Sequence, residues 1–213
     1  MTQKQWIGRV GKPFVFVLAL LPLAFLVFDT LTDRLSANPI SDITHATGLW
    51  TLRFLMFTLA VTPLRRLSGL SWLARFRRML GLFAFFYGLL HLFTYLYLDQ
   101  FFQWGEILAD IPKRPFITVG FASLVMMVPL AASSFDRVMR WMGGRRWKNL
   151  HRLVYAVALG GVIHFLWLVK ADTSEPLFYG SVFAVLMILR LIDAYAPRLV
   201  RFLGAGEQTG NLS

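Results

Sequence analysis

The sequence contains no cysteine, and this absence removes several kinds of redox site from consideration. Without thiolates the chain has no disulfide, no cysteine-ligated iron–sulfur cluster and no thiolate metal site. Charged residues are also scarce, at 15% of the 213 residues, whereas 57% of the residues are hydrophobic. A soluble domain has roughly 25% charged residues and does not gather its apolar residues into long blocks, so this composition excludes an ordinary soluble domain.

Six apolar runs take up most of the chain, and a membrane-spanning helix needs about 20 such residues. The predicted spans cover residues 13–31, 45–62, 79–98, 116–134, 150–169 and 177–194. The first run follows a basic N-terminus, as in a signal peptide, but no small-x-small cleavage site follows it. We therefore interpret it as a retained first helix. The sequence predicts an all-α integral membrane protein, a six-transmembrane-helix bundle in which residues 1–213 form one domain.

The net charge of +11 suggests nucleic acid at first sight, but the positions of the charges favour membrane topology instead. Alternate loops and ends (residues 1–12, 63–78, 133–152 and 190–213) hold 17 of the 22 Lys and Arg residues, including Arg198 and Arg201. The other loops hold four, and they carry eight of the eleven acids. Because positive loops stay in the cytoplasm, both termini are predicted to be cytoplasmic, and nucleic acid is not expected as a partner.

Two of the four histidines are predicted to lie at a similar depth in the outer half of the membrane. His91 is in the third apolar run and His164 is in the fifth, and both helices start from the cytoplasmic side. Polar groups inside membrane spans are costly and usually functional, which favours ligands over buried histidines that only pair with a neighbour. Two imidazoles on such helices can bind one heme iron from opposite faces. We therefore predict that His91 and His164 are axial ligands of a heme.

A third predicted heme ligand, His151, lies near the cytoplasmic edge of the fifth run. On one straight helix it would stand roughly 20 Å from His164 and about 140° around the axis. The pair Gly160 and Gly161 lies between the two histidines. It could bend the helix and realign them, or it could allow close packing of a neighbouring helix. A solvated histidine at the membrane edge is the other interpretation of His151.

Two residues of the second run add further candidates for cofactor contact. Arg53 is a basic residue well inside an apolar run, so it needs a partner. A heme propionate suits a guanidinium, and the alternatives are snorkelling or an ion pair with an acid such as Asp42. His45 lies at the outer rim and is a candidate for contact with a propionate or a quinone.

Four short stretches together resemble a known family. They are RRMLGL at 77–82, HLFTY at 91–95, WKNLHRLVY at 147–155 and HFLWLVK at 164–170. The chain resembles the MsrQ (YedZ) family, the heme-binding membrane subunits of the bacterial periplasmic methionine sulfoxide reductase system. That family belongs to the ferric-reductase-like transmembrane superfamily, which includes the NADPH oxidases. The resemblance covers nearly the whole chain, although each stretch alone is weak.

This resemblance implies heme b held by His91, His164 and His151, an associated FMN, and a place in the bacterial inner membrane. It also implies electron transfer from a cytoplasmic flavin reductase or quinone to a periplasmic molybdopterin-containing methionine sulfoxide reductase. One position departs from the oxidase pattern: Arg77 stands where an inner histidine is expected, so it is a cofactor-binding candidate. The chain then holds either one bis-histidine heme or a second heme with an unusual ligand opposite His151.

The sequence has no Gly-rich phosphate-binding loop, so the chain is not a self-contained NADPH oxidase. If FMN binds, the basic loops 63–78 and 133–149 are the expected phosphate contacts, and membrane topology alone is the other explanation for their charge. Our leading hypothesis is an electron-transfer subunit of an oxidoreductase system. The alternatives are a stand-alone quinol oxidase or ferric reductase, and a non-redox small membrane transporter.

Overall fold

The computed structural model describes the backbone of residues 3–210 and the side chains of residues 5–195, and all regular structure in this part of the chain is helical. The helices are α1 (Gln3–Trp6), α2 (Lys12–Leu31), α3 (Pro39–Ser68), α4 (Arg77–Thr94), α5 (Trp104–Lys113), α6 (Pro115–Ala132), α7 (Asp136–Met142), α8 (Gly144–Leu150), α9 (Leu153–Leu168) and α10 (Ser174–Gly210). Single π-helical turns at Ile7–Gly11 and Tyr95–Asp99 extend α2 and α4.

Six helical stretches are long and apolar enough to cross a membrane. They are Ile7–Leu31, Pro39–Ser68, Arg77–Asp99, Pro115–Ala132, Gly144–Leu168 and Ser174–Tyr195. The prediction of an all-α, multi-pass membrane protein with six helices is therefore confirmed. The cytoplasmic position of both termini stays a prediction, as does the assignment of one domain. The side chains of Lys4, Arg198 and Arg201, which contributed to the charge count, lie outside the described residues.

The ends of α3 follow from local sequence. Asn38 precedes the helix, and its side-chain oxygen accepts a hydrogen bond from the backbone N–H of Ser41 at 3.2 Å. Pro39 occupies the first turn, where its missing N–H costs nothing. Gly69 ends the helix with φ of 71°, a left-handed conformation that glycine adopts without strain. These ends fix the length of the helix that contributes His45 and Arg53.

Aromatic and aliphatic side chains fill the contact between α3 and α4. The ring of Phe54 stacks on Phe83 at 5.6 Å and on Tyr87 at 5.3 Å. The hydroxyl of Tyr87 reaches α2, where it donates a hydrogen bond to the Ala19 carbonyl (2.9 Å) and accepts one from the Leu23 N–H (3.2 Å). This cluster holds the first three spans together.

A second cluster joins α3, α9 and α10 beside the candidate site. It is formed by the buried side chains Leu52, Met56, Leu59, Ala158, Val162, Phe165, Tyr179 and Leu186. Helix α9 runs without interruption through Gly160 and Gly161, and a side chain at Gly160 would collide with Ser123 Oγ of α6. This contact supports the interpretation of the glycine pair as a place of close helix packing.

The fifth span differs from the continuous helix expected around His151. Helix α8 ends at Leu150, His151 and Arg152 form a turn, and α9 starts at Leu153. His151 is therefore the residue that ends α8, and the angle expected for one straight helix does not apply to it. The backbone hydrogen bonds show why α8 ends here. The N–H of Arg152 bonds to the carbonyl of Asn149, three residues back, instead of continuing the α-helical pattern.

Candidate functional site

The structure brings His91 and His164 together. His91 is near the end of α4 and His164 is near the end of α9, and 73 residues of sequence separate them. Their ring centroids lie 6.0 Å apart, and the ring planes are inclined at 79°. Both side chains are only partly exposed. We call the half of the bundle that holds them the paired-histidine half, and the half that holds His151 the His151 half.

Each imidazole of the pair is fixed by a carbonyl of a neighbouring helix. Nδ1 of His91 lies 2.9 Å from the Thr44 carbonyl oxygen of α3. Nδ1 of His164 lies 2.6 Å from the Phe116 carbonyl oxygen of α6. A carbonyl oxygen can only accept, so both Nδ1 atoms carry the proton and donate. The lone pair of each ring is therefore on Nε2, which is the tautomer that a metal-binding histidine needs.

The spacing of the two rings fits a heme iron between them. With a metal–imidazole bond of about 2 Å on each side and the ring radius added, two axial imidazoles have centroids roughly 6 Å apart. The observed 6.0 Å agrees with this requirement. In addition, the hydroxyl of Thr44, whose carbonyl holds His91, is buried without a hydrogen-bond partner among the described residues. The donor chemistry and the spacing both suit a bis-histidine heme.

His151 has a different environment at the other end of the fifth span. Its Nε2 lies 3.0 Å from the hydroxyl oxygen of Ser133, and the Trp147 ring packs on the imidazole with centroids 4.0 Å apart. The indole N–H of Trp147 donates to the Ser133 carbonyl at 3.0 Å. His151 and His164 are 13 residues apart along the fifth span, which corresponds to roughly 20 Å. His151 is therefore not part of the paired-histidine site.

Among the described residues, the partners of Arg53 are the side chains of Tyr179 and Trp50 and not an acid. Its Nε donates to the Tyr179 hydroxyl at 2.8 Å, and its guanidinium lies 4.7 Å from the centroid of the Trp50 ring. Asp42, the acid considered as a partner, instead accepts a hydrogen bond from the backbone N–H of Ser36 at 2.6 Å. The terminal amino groups of Arg53 are thus available to a ligand carboxylate, while Tyr179 and Trp50 hold the side chain in place.

His45 lies at the rim of the paired-histidine half. Its Nε2 is 3.7 Å from a carboxylate oxygen of Glu175, and its ring centroid is 5.6 Å from that of Phe165. The side chains of His45 and Glu175 are 47% and 50% exposed, so this contact is a solvent-accessible pair. The structure therefore places His45 beside the residue that follows His164, and not in the pair itself.

Two arginines lie in the His151 half, and sequence reasoning missed one of them. Arg77 reaches the Thr62 hydroxyl at 3.4 Å. Arg190, assigned to the C-terminal tail, is instead inside the sixth span, where it donates to the Tyr155 hydroxyl at 2.8 Å and to a backbone carbonyl. Arg190 is therefore a second arginine inside a span, in addition to Arg53. The signal was present in the sequence, because apolar residues flank Arg190 on both sides.

Two arginines of the basic segments make ion pairs that join different helices. Arg78, at the start of α4, pairs with Asp136, the first residue of α7, and Arg66 of α3 pairs with Asp193 of α10. The hydrogen bond from Arg78 lowers the pKa of the Asp136 carboxyl below its ordinary value, and the positive charge of Arg78 adds to this effect. Part of the loop charge therefore has a structural role.

Six membrane-spanning helices with two histidines close together form a multi-pass membrane protein with a candidate metal site. The sequence matches the family described as "Ferric reductase like transmembrane component" over residues 47–162, which include His91 and His151 but neither His45 nor His164. The matched region runs from α3 into α9 and makes up more than half of the chain, so the protein is of the ferric-reductase-like class.

Similar proteins with a functional description identify the family within this class. A protein of Herminiimonas arsenicoxydans is 51% identical over 88% of this chain and 87% of its own length, and one of Rhodospirillum rubrum is 50% identical over 89% and 91%. A Polaromonas naphthalenivorans protein is 45% identical over 91% and 90%. All three are described as the "Protein-methionine-sulfoxide reductase heme-binding subunit MsrQ". The chain belongs to the MsrQ family, and the predicted resemblance is confirmed.

Proposed function

We propose that this protein is a heme b electron-transfer subunit in which His91 and His164 are the axial ligands of one heme. The observation that carries the proposal is the pair of imidazoles with ring centroids 6.0 Å apart, in which both Nδ1 atoms are bonded to carbonyls and both lone pairs are on Nε2. The relatives' description as heme-binding subunits supports the same cofactor.

The protein's own residues would hold and tune the group. Heme iron, when bound, supplies one-electron chemistry between its ferric and ferrous states. The Thr44 and Phe116 carbonyls orient the two imidazoles and increase their basicity. Arg53 supplies a fixed positive charge in the same half of the bundle and is suited to a propionate. Buried apolar residues of α3 and α9, such as Leu52 and Phe165, keep water away.

The finer assignment concerns the partners. We infer that electrons enter from a cytoplasmic flavin reductase or from quinol and leave to a periplasmic molybdopterin-containing methionine sulfoxide reductase, for repair of oxidised periplasmic proteins. The description of the relatives as heme-binding subunits of a methionine-sulfoxide reductase supports this acceptor. The distribution of Lys and Arg supports the orientation that places His91 and His164 toward the acceptor.

FMN and a second heme belong to the His151 half in this proposal. Arg77, Arg190 and the basic loops provide positive charge there for the phosphate of FMN. His151 is the ligand available to a second heme, but its Nε2 is engaged by Ser133, so that bond has to break first. We therefore expect one heme of high occupancy, in the paired-histidine half.

The test is a quantitative heme assay on the chain purified in detergent, with a reduced-minus-oxidised spectrum. One low-spin heme per chain is expected, and two would assign His151 to iron as well. A colourless protein after expression with ample heme would contradict the proposal and favour a transporter. Reduction of ferric iron by quinol in the absence of any protein partner would instead favour a stand-alone quinol oxidase or ferric reductase.

A further inference from the structure

We propose that Gly48 and Gly120 are positioning residues for the two histidines. Each glycine leaves the helix carbonyl four residues earlier accessible to an imidazole N–H, and we call this arrangement a seat. This inference rests on the proposed function for its link to heme. The seats themselves are a property of the protein chain. Each one consists of a glycine, the carbonyl one turn before it, and the histidine of the helix packed against them.

The first seat lies on α3. The carbonyl that accepts from His91 Nδ1 belongs to Thr44, and Gly48 is four residues further along the same helix. A Cβ atom placed on Gly48 would stand 3.0 Å from Nδ1 and 3.0 Å from Cε1 of His91, and 3.6 Å from its Nε2. Atoms of the imidazole are therefore the nearest neighbours of the missing side chain.

The second seat repeats this arrangement on α6. The carbonyl that accepts from His164 Nδ1 belongs to Phe116, and Gly120 is again four residues further along. A Cβ atom on Gly120 would stand 2.6 Å from Nδ1 and 2.9 Å from Cε1 of His164. Both distances are shorter than real Cβ contacts, so the imidazole could not keep its position beside an alanine.

Helix geometry explains why the spacing is four in both seats. The carbonyl of residue i accepts the N–H of residue i+4, and this bond uses one of its two lone pairs. The Cβ of residue i+4 tilts toward the helix N-terminus and covers that same carbonyl. A glycine at i+4 removes the cover, and the second lone pair can then accept an N–H from a neighbouring helix. Two seats on two different helices meet this requirement independently.

The seats would have two effects on the bound metal. They fix the direction in which each Nε2 points, and they hold the proton on Nδ1 so that the lone pair stays on Nε2. A methyl group at either glycine would push the ring away and lengthen the bond to the carbonyl. Loss of such an outer hydrogen bond typically reduces metal affinity by about 10–100-fold, and we expect this loss for Gly48→Ala and for Gly120→Ala.

Two other glycines provide matched controls in the same bundle. A Cβ at Gly160 would collide with the Ser123 hydroxyl at the contact of α6 and α9, and its nearest neighbours would be atoms of Ser123 and Val119. A Cβ at Gly81 of α4 would meet Thr58 at an ordinary 3.6 Å. Gly160→Ala therefore reports on crowding between helices alone, and Gly81→Ala reports on an added methyl without crowding.

The experiment measures heme per folded protein, the low-spin spectrum and the thermal midpoint in detergent for these four variants. Gly48→Ala is also made in the His91→Ala background, which removes the imidazole and gives a double-mutant cycle. We expect Gly48→Ala and Gly120→Ala to lose most of the low-spin heme, while Gly81→Ala keeps it and Gly160→Ala keeps its heme per folded protein. Gly48→Ala should lower the midpoint when His91 is present and have little effect when it is absent.

The proposal is overturned if Gly48→Ala keeps the wild-type heme affinity and spectrum, or if it lowers the midpoint equally with and without His91. If Gly48→Ala alone fails to accumulate, accumulation of the double variant supports the seat, and failure of both variants overturns it. Failure of the proposed function is recognised separately, by an unmodified chain without heme. In that case the double-mutant cycle still tests the seat at Gly48, because the thermal midpoint of a chain without heme depends only on the protein.

Discussion

The two halves of the bundle treat their histidines in opposite ways. In the paired-histidine half, two imidazoles lie with their ring centroids 6.0 Å apart, and backbone carbonyls hold their Nδ1 atoms. In the His151 half, a single imidazole lies at a break between helices, and a serine hydroxyl occupies its Nε2. Backbone carbonyls can only accept, whereas a hydroxyl can donate or accept, so only the first half fixes the tautomer. The two halves therefore differ in which ring nitrogen is engaged and in the group that holds it.

The largest expected effect comes from removing the histidines themselves. His91→Ala or His164→Ala should lower heme affinity by more than about 100-fold, because loss of a supporting hydrogen bond alone costs about 10–100-fold. His151→Ala should leave the low-spin heme of the paired-histidine half in place, since His151 is not part of that site. Heme content per protein and the low-spin spectrum are the measurements. Equal heme loss in all three variants would remove the distinction between the halves.

A smaller effect is expected at Arg53. Arg53→Met removes a positive charge near the paired histidines, which should lower the reduction potential because a cation stabilises the electron-rich state. Loss of the hydrogen bond to Tyr179 should also lower the free energy of unfolding by about 1 kcal/mol. A redox titration checks the potential. Tyr179→Phe is the matched control, since it removes the same hydrogen bond and keeps the charge; an equal shift in both variants would rule out the charge as the cause.

The smallest expected effect lies in the loops of the His151 half. The pKa of Asp136 is lowered from 3.8 by its hydrogen bond from Arg78, so the pair contributes stability above pH 3.8 and loses it as the pH falls through the lowered pKa. Asp136→Asn should therefore slightly lower the thermal midpoint at pH 7, and this difference should become smaller as the pH falls below 3.8. A difference that does not decrease in acid would show that the pair is not responsible. The spectrum of the paired-histidine heme should not change.

The periodicity and the charge pattern of the sequence were sufficient to predict a large part of this structure. Six apolar runs gave the six spans, because a membrane leaves the backbone of a spanning segment little choice except a helix. The similar depth of His91 and His164 followed from counting residues along two helices that enter from the same side. These are statements about one segment at a time, which is the kind of information that a single sequence carries directly.

Contacts between distant segments could not be predicted in the same way. The partner of Arg53 is Tyr179, 126 residues away. Nothing in the sequence around Arg53 favours Tyr179 over Asp42 as that partner. The turn at His151 has no proline or glycine to mark it. The spacing from Thr44 to Gly48 is common in membrane helices that merely pack closely, so its relation to His91 is visible only when α3 and α4 are placed together.

The hydroxyl of Tyr87 bonds to the Ala19 carbonyl and to the Leu23 N–H, on either side of the proline inside α2. Pro22 has no N–H, so it weakens the helical hydrogen bonds of α2 at this point. A side chain of the third span, 64 residues later in the chain than Leu23, makes hydrogen bonds to the backbone there. The first span therefore depends on a later span for part of the support of its own backbone.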